Sequence, residues 1–201
     1  MDDVTALGLS DEQWTRLMEA SEKYRESVCS SYDEVFDQVI DRVARNRWLD
    51  KRDIGVLVFW KRLRADAPWA TRLHCTPDED VRSVTTQAVA AVHNAETPDH
   101  VAAADGRRVL SSLPGFGRGD ALASALLTAA APDRMAVYDR RAHAGLGLLD
   151  LGLTNAPGRY GRYMALVGEI VAQARERGTT WRPRDVDLAL YQLGGRRKTA
   201  R

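Results

Sequence analysis

The chain is predicted to be all-α, a two-lobed helical domain of about nine helices, on three observations. Apolar residues recur at helical spacing along most of the 201 residues. Helix-start signals precede these stretches. No set of alternating strands and no repeat period appears. The length suits one domain, taken as 1–195, with a real core and no independent second domain.

Taken in order, Ser10-Asp11-Glu12-Gln13 fits a capping box ahead of Trp14, Leu17, Met18, Ser21 and Tyr24. Ser31, with Glu34 three residues on, reads as the cap for Val35, Phe36, Val39, Ile40 and Val43. The run Ile54 to Trp60 suits a buried strand by composition. Asp50 as a cap, and Lys61-Arg62-Leu63 continuing without a turn signal, favour a buried helix. Thr76-Pro77-Asp78-Glu79 fits a second capping box, and Thr97-Pro98 starts a helix that runs toward Leu113. Asp120 to Ala130 is rich in Ala and Leu, a helix is expected after Asp139, and Tyr163 to Ala174 carries an amphipathic stripe. A last helix spans 183–193, ended by Gly194-Gly195, and 196–201 reads as a basic disordered tail.

Composition excludes several classes. No apolar stretch approaches the roughly 20 residues of a spanning helix, so no membrane partner is expected. Met1-Asp2-Asp3-Val4 lacks the basic-then-apolar start of a secretory signal, and a cytoplasmic location follows by default. Cys29 and Cys75 have no second thiol nearby and read as reduced, buried or half-buried side chains. His74, His93, His100 and His143 show no ligand spacing, so neither a metal nor another cofactor is expected. The net charge of +1 hides a polarity. Residues 1–105 hold 13 Lys and Arg against 20 Asp and Glu, whereas 106–201 hold 16 against 8. Either one face attracts a polyanion, or the halves neutralise each other across an internal interface.

The basic half contains the segment that carries chemistry. In Leu113-Pro114-Gly115-Phe116-Gly117-Arg118-Gly119-Asp120 one helix stops and another starts within a few residues, so the hairpin spans about 107–130. Gly115 and Gly117 suit a tight turn open to close approach, and Phe116 can anchor it on the core. The next helix offers free N–H groups and a positive dipole end to a phosphate. A purely structural αα-hairpin has the same local pattern.

Together with Ala136-Val137-Tyr138-Asp139-Arg140-Arg141-Ala142, the hairpin resembles the helix-hairpin-helix DNA glycosylase superfamily. The match covers about 30 residues, with 24 positions from Gly115 to Asp139. The resemblance implies a DNA partner and a base turned out of the duplex into a pocket. It also implies that Asp139 stabilises positive charge on the sugar as the base leaves. Read as a residue alone, Asp139 also fits a helix N-cap or an ion pair. Pro114, Gly115, Phe116, Gly117, Arg118, Gly119, Arg140, Arg141, Arg159 and Arg162 are the candidate backbone-binding residues. Trp60, Trp69, Tyr138 and Trp181 are candidates for a base pocket, and each taken singly fits core packing better.

The sequence departs from the family pattern at three places. Gly119 stands where strand-cutting members carry a lysine, which implies hydrolysis of the base-sugar bond without a lyase step. Asp120 would repel a phosphate at the helix start, with Arg118 as a compensating charge. Arg140 and Arg141 replace the His or Thr after the aspartate. The resemblance thus implies a monofunctional DNA glycosylase, taken as monomeric by default. The alternatives are a non-catalytic DNA-binding protein of the same fold and a helical protein-interaction module.

Overall fold

The computed structural model describes residues 8–29 and 31–195, and in them the chain forms ten helices and no strand. They are α1 (Asp11–Ser27), α2 (Glu34–Asn46), α3 (Lys51–Trp60), α4 (Pro68–Cys75), α5 (Asp78–His93), α6 (Asp99–Leu110), α7 (Ala121–Ala130), α8 (Arg140–Leu148), α9 (Arg159–Glu176) and α10 (Pro183–Leu193). The stretches 1–4 and 196–201, read above as a non-signal start and a basic tail, lie outside the described residues.

Local chemistry explains several boundaries. Ser10 accepts the Gln13 N–H at 3.2 Å while Gln13 accepts the Ser10 N–H at 2.8 Å, closing the expected capping box. Asp50 and Asp53 do the same at the start of α3, so the Ile54 to Trp60 run is helical. Two expected caps are corrected. The residue before α2 is Asp33, not Ser31, and its carboxylate makes no cap bond because it accepts from the Trp60 indole N–H at 2.9 Å. Thr76 closes α4 by donating to the Arg72 carbonyl at 3.0 Å, and Pro77 opens α5 with no side-chain cap. The helix beyond the expected nine is α4. It has eight residues with only Leu73 buried, too short a stripe to register as a period.

Helix α7 is the pivot of the packing: Leu122 through Ala130 are all buried, with α2, α3, α5 and α6 against it. A second group forms where α10 packs on α1 and α8, and α9 joins the groups by packing on both α6 and α10. The buried apolar side chains form one contiguous core through both. Close approach depends on glycine. A Cβ on Gly145 of α8 would strike the Leu190 carbonyl of α10, and one on Gly161 of α9 would lie 3.0 Å from the His100 carbonyl of α6.

The charge split is partly neutralised inside the molecule. Asp11 with Arg177, Asp33 with Arg184 and Asp99 with Arg134 each pair a carboxylate of the acidic half with a guanidinium of the basic half. Among the described residues no helix is long and apolar enough to cross a membrane, and no group of His, Cys, Asp or Glu is placed to hold a metal. Cys29 and Cys75, expected to be buried or half-buried, are both exposed. Cys29 falls in the turn after α1, and Cys75 ends the thinly buried α4.

Candidate active site

After α7 the chain makes a turn and runs through 135–139 without regular structure. A backbone without a ladder needs other partners, since each buried polar group left unpaired costs about 1–3 kcal/mol. Buried side chains supply them. Tyr160 donates to the Ala136 carbonyl at 2.9 Å, and Tyr163 to the Val137 carbonyl at 3.2 Å. Asp187 accepts the Val137 N–H at 2.7 Å. Ser124 accepts the Tyr138 N–H at 2.9 Å and lies 3.2 Å from the Tyr138 carbonyl. Helices α7, α9 and α10 thus hold the three residues before Asp139 in one conformation.

Asp139 uses its two oxygens differently. Oδ1 caps α8, accepting the N–H groups of Arg141 and Ala142 at 2.9 Å each. Oδ2 accepts from Lys61 Nζ at 2.8 Å, with the lysine side chain 11% and the aspartate side chain 19% exposed. Burial pushes the carboxyl up, but the charge and hydrogen bond of Lys61 and the two helix N–H groups outweigh it and hold the pKa below the usual aspartate value. The cap and ion-pair readings of Asp139 both hold, and neither uses up its position. It forms part of the wall of two adjoining hollows.

The first hollow is a cavity of about 240 Å³ whose lining includes Tyr24, Tyr32, Trp60, Lys61, Asp187 and Tyr191 beside Asp139. Trp60 is stacked on Phe36 at 4.2 Å. The Arg184 guanidinium, 5.3 Å from the Trp60 ring centre, donates to Asp187 at 2.6 Å and lies 3.5 Å from Asp33. Burial, opposed by Arg184, pushes the Asp187 carboxyl up to about 7. Burial also raises the Tyr24 phenol, which therefore stays protonated. Arg62, in the left-handed region at φ 52°, reaches the Tyr32 and Tyr191 hydroxyls at 3.4 and 3.5 Å.

The second hollow is a groove along the α6–α7 turn, and Trp69, Gly115, Arg118, Gly119, Tyr138, Arg140 and Arg159 line it with Asp139. Phe116 is fully buried and anchors the turn. Gly115 is in the left-handed region at φ 94°, and a Cβ there would strike the Trp69 ring. Asp120 does not act as a free negative charge at the start of α7. Its oxygens are taken by Arg107 at 2.8 Å and Arg159 at 2.7 Å, so the cluster carries a net positive charge. Arg159 also lies over the Tyr138 ring at 4.7 Å.

Most of the candidate residues meet at this place, and some do not. Pro114 and Gly117 border a shallow depression beside the groove, with Trp69 and Arg118. The Phe116 side chain is enclosed in the core, so only its backbone can reach a ligand. Arg141 turns away from the groove and stacks on Tyr191 at 3.8 Å. Arg162 donates to the carbonyls of Thr154, Ala156 and Pro157 and thereby fixes the loop before α9. Trp181 lines neither hollow and packs on Trp14 at 5.3 Å. His143 bonds the Tyr138 hydroxyl at 3.1 Å. The sequence reading missed Lys61, Asp187 and the cavity tyrosines. No local pattern marks Lys61, which stands 78 positions from its partner.

Comparison with family models, with curated proteins and with solved structures returned no match.

Proposed function

We propose that the chain is a helix-hairpin-helix DNA glycosylase that hydrolyses the bond between an altered base and its sugar, with Asp139 as the essential carboxylate. The supporting observation is the position of Asp139. It is held ionised at the junction of an aromatic cavity and a groove that carries Arg118, Arg140 and Arg159. The α6–α7 turn then binds the DNA backbone from the groove side, and the flipped base enters the cavity between Trp60 and the tyrosines. Asp139 faces the sugar between them, where a carboxylate stabilises the cationic transition state and orients water. On this reading the partner is DNA, no cofactor takes part, and a monomer in the cytoplasm is sufficient.

The test is a panel of duplexes bearing altered bases, incubated with the protein and treated with hot alkali to cut abasic sites. Cleavage that vanishes in Asp139→Asn supports the enzyme. Binding with no cleavage on any duplex turns the reading to a non-catalytic DNA-binding protein. No salt-dependent binding turns it to a protein-interaction module.

Lys61 favours a second reading of the same site. The hairpin position offers no amine, yet Lys61 brings one to 2.8 Å from Asp139 on the cavity wall. Once the Lys61 ammonium passes a proton to Asp139, its nitrogen can bond the sugar carbon in place of water as the base leaves with the electron pair of the broken bond, and opening of the sugar ring then gives the imine. Borohydride reduction during turnover distinguishes the two: a stable protein–DNA adduct lost in Lys61→Gln supports the amine, and its absence supports water.

A further inference from the structure

The cavity holds a second carboxyl that the proposed hydrolysis leaves without a role. Asp187 is 2% exposed and part of the cavity wall, and its oxygens receive one hydrogen bond each, from Val137 N–H and from Arg184. One lone pair on each oxygen is therefore left over.

The charges around it are few. Arg184 on α10 and Lys61 after α3 are two cations, each with a side chain at most 15% exposed. Against them stand three carboxyls, Asp33 before α2, Asp139 before α8 and Asp187 itself. The phenols that face Asp187 from α1 and α9, on Tyr24, Tyr160 and Tyr163, are all pushed up by burial and add no charge. Arg62 is a third cation on the cavity wall, exposed at the rim on two tyrosine hydroxyls, so cations and carboxyls are equal in number. Burial of a carboxyl favours its protonated form, and the count leaves no spare cation to offset that preference.

The proton has a preferred place among the three. Asp139 is tied to an ammonium and two backbone N–H groups. Asp33, a third exposed, keeps partial contact with water. Asp187 is the most buried of the three, and burial penalises its anion most.

We propose that Asp187 is the acid of this cavity: it hands a proton to the base as the base leaves, while Asp139 stays ionised beside the sugar. This rests on the base-excision reading of the site. In the step, the bond from the sugar carbon to the base nitrogen breaks and its electron pair goes to the base. The Asp187 O–H bond breaks and its proton neutralises that pair. The oxygen of water bonds the sugar carbon, and the proton it releases passes to solvent, from which Asp187 is reprotonated. Two carboxyls in one cavity thus divide the acid and the charge-stabilising roles.

The experiment has two arms on the full chain. In single-turnover base release against pH, the wild type loses rate as pH rises past about neutral with a one-proton slope. Asp187→Asn keeps DNA affinity, slows release about 10²-fold and loses that alkaline limb. An unchanged limb in Asp187→Asn overturns the proposal. In the second arm, the carboxyl carbon of Asp187 is followed by NMR in carbon-13-labelled free protein. Titration near neutral pH supports the proposal, and titration in the ordinary aspartate range overturns it even where no duplex is cleaved. Failure of the base-excision reading alone shows as no base release with the neutral titration still present.

Discussion

Arg159 donates to Asp120 at 2.7 Å across 39 positions, while Arg107 takes the other oxygen of the same carboxylate. An acidic residue at the start of α7 thereby becomes the clamp that ties α6, α7 and α9 together. All three side chains are at most 21% exposed, so removal of the carboxylate strands two half-buried guanidinium groups. Asp120→Ala is expected to cost about 3 kcal/mol in urea unfolding, in the range for a broken buried pair. A loss below about 1 kcal/mol would place the pair among ordinary surface contacts.

The arginines divide by what their guanidinium groups already hold. Arg118 and Arg140 are exposed on the groove and have no carboxylate partner among the described residues, whereas Arg162 is committed to three loop carbonyls. In duplex binding measured against salt, Arg118→Ala and Arg140→Ala should each reduce the log–log slope by about 1. Arg162→Ala should leave the slope unchanged. On the proposed DNA-binding reading, an equal loss in Arg162→Ala would move the contact onto the loop before α9.

These two cases show what was legible in the sequence. Ser10 and Asp50 were readable because a cap bonds residues two or three positions away. The turn between α6 and α7 was readable because Gly115 and Phe116 have local tasks, one in the turn and one beneath it. The environment of Asp120 was not, because its partners come from 13 and 39 positions away. Lys61, Asp187 and the tyrosines belong to the same class: their meaning comes from the packing of α1, α3 and α10 around one cavity. Trp181 shows the converse. An aromatic residue is a pocket candidate by type, and only its contact with Trp14 assigns it to the core.

The contact of α8 with α10 leaves no room for side chains at two glycines. A Cβ on Gly145 meets the Leu190 carbonyl, and one on Gly194 meets the Arg141 carbonyl, both backbone atoms that have no rotamer to yield. Gly145→Ala is expected to destabilise by about 3 kcal/mol, as overpacking does. Gly147, two positions on in the same helix, has nothing within 4 Å. Gly147→Ala should be neutral or stabilise by up to about 1 kcal/mol through helix propensity. Thermal unfolding of the pair checks this. Equal melting points would show that the helices can move apart at little cost.

Asp187 and Asp139 shift in opposite directions, and stability should depend on pH through both. The Asp187 carboxyl rises from 3.8 in the unfolded chain to about 7 in the folded one. The unfolded chain therefore releases that proton first. Its contribution to stability is full below about pH 4 and is lost as pH rises through about 7. Asp139 is lowered from 3.8, so its contribution is present above that value and lost as pH falls through the lower folded value. Urea midpoints across about pH 3 to 8 should fall toward alkali on one limb and toward acid on the other. Asp187→Asn should flatten the neutral limb and keep the acid one, because the amide oxygen can still accept the Val137 N–H but nothing titrates. Asp139→Asn should do the reverse, since Lys61 then loses its counter-charge at every pH. A neutral limb that survives in Asp187→Asn would assign that proton to another group.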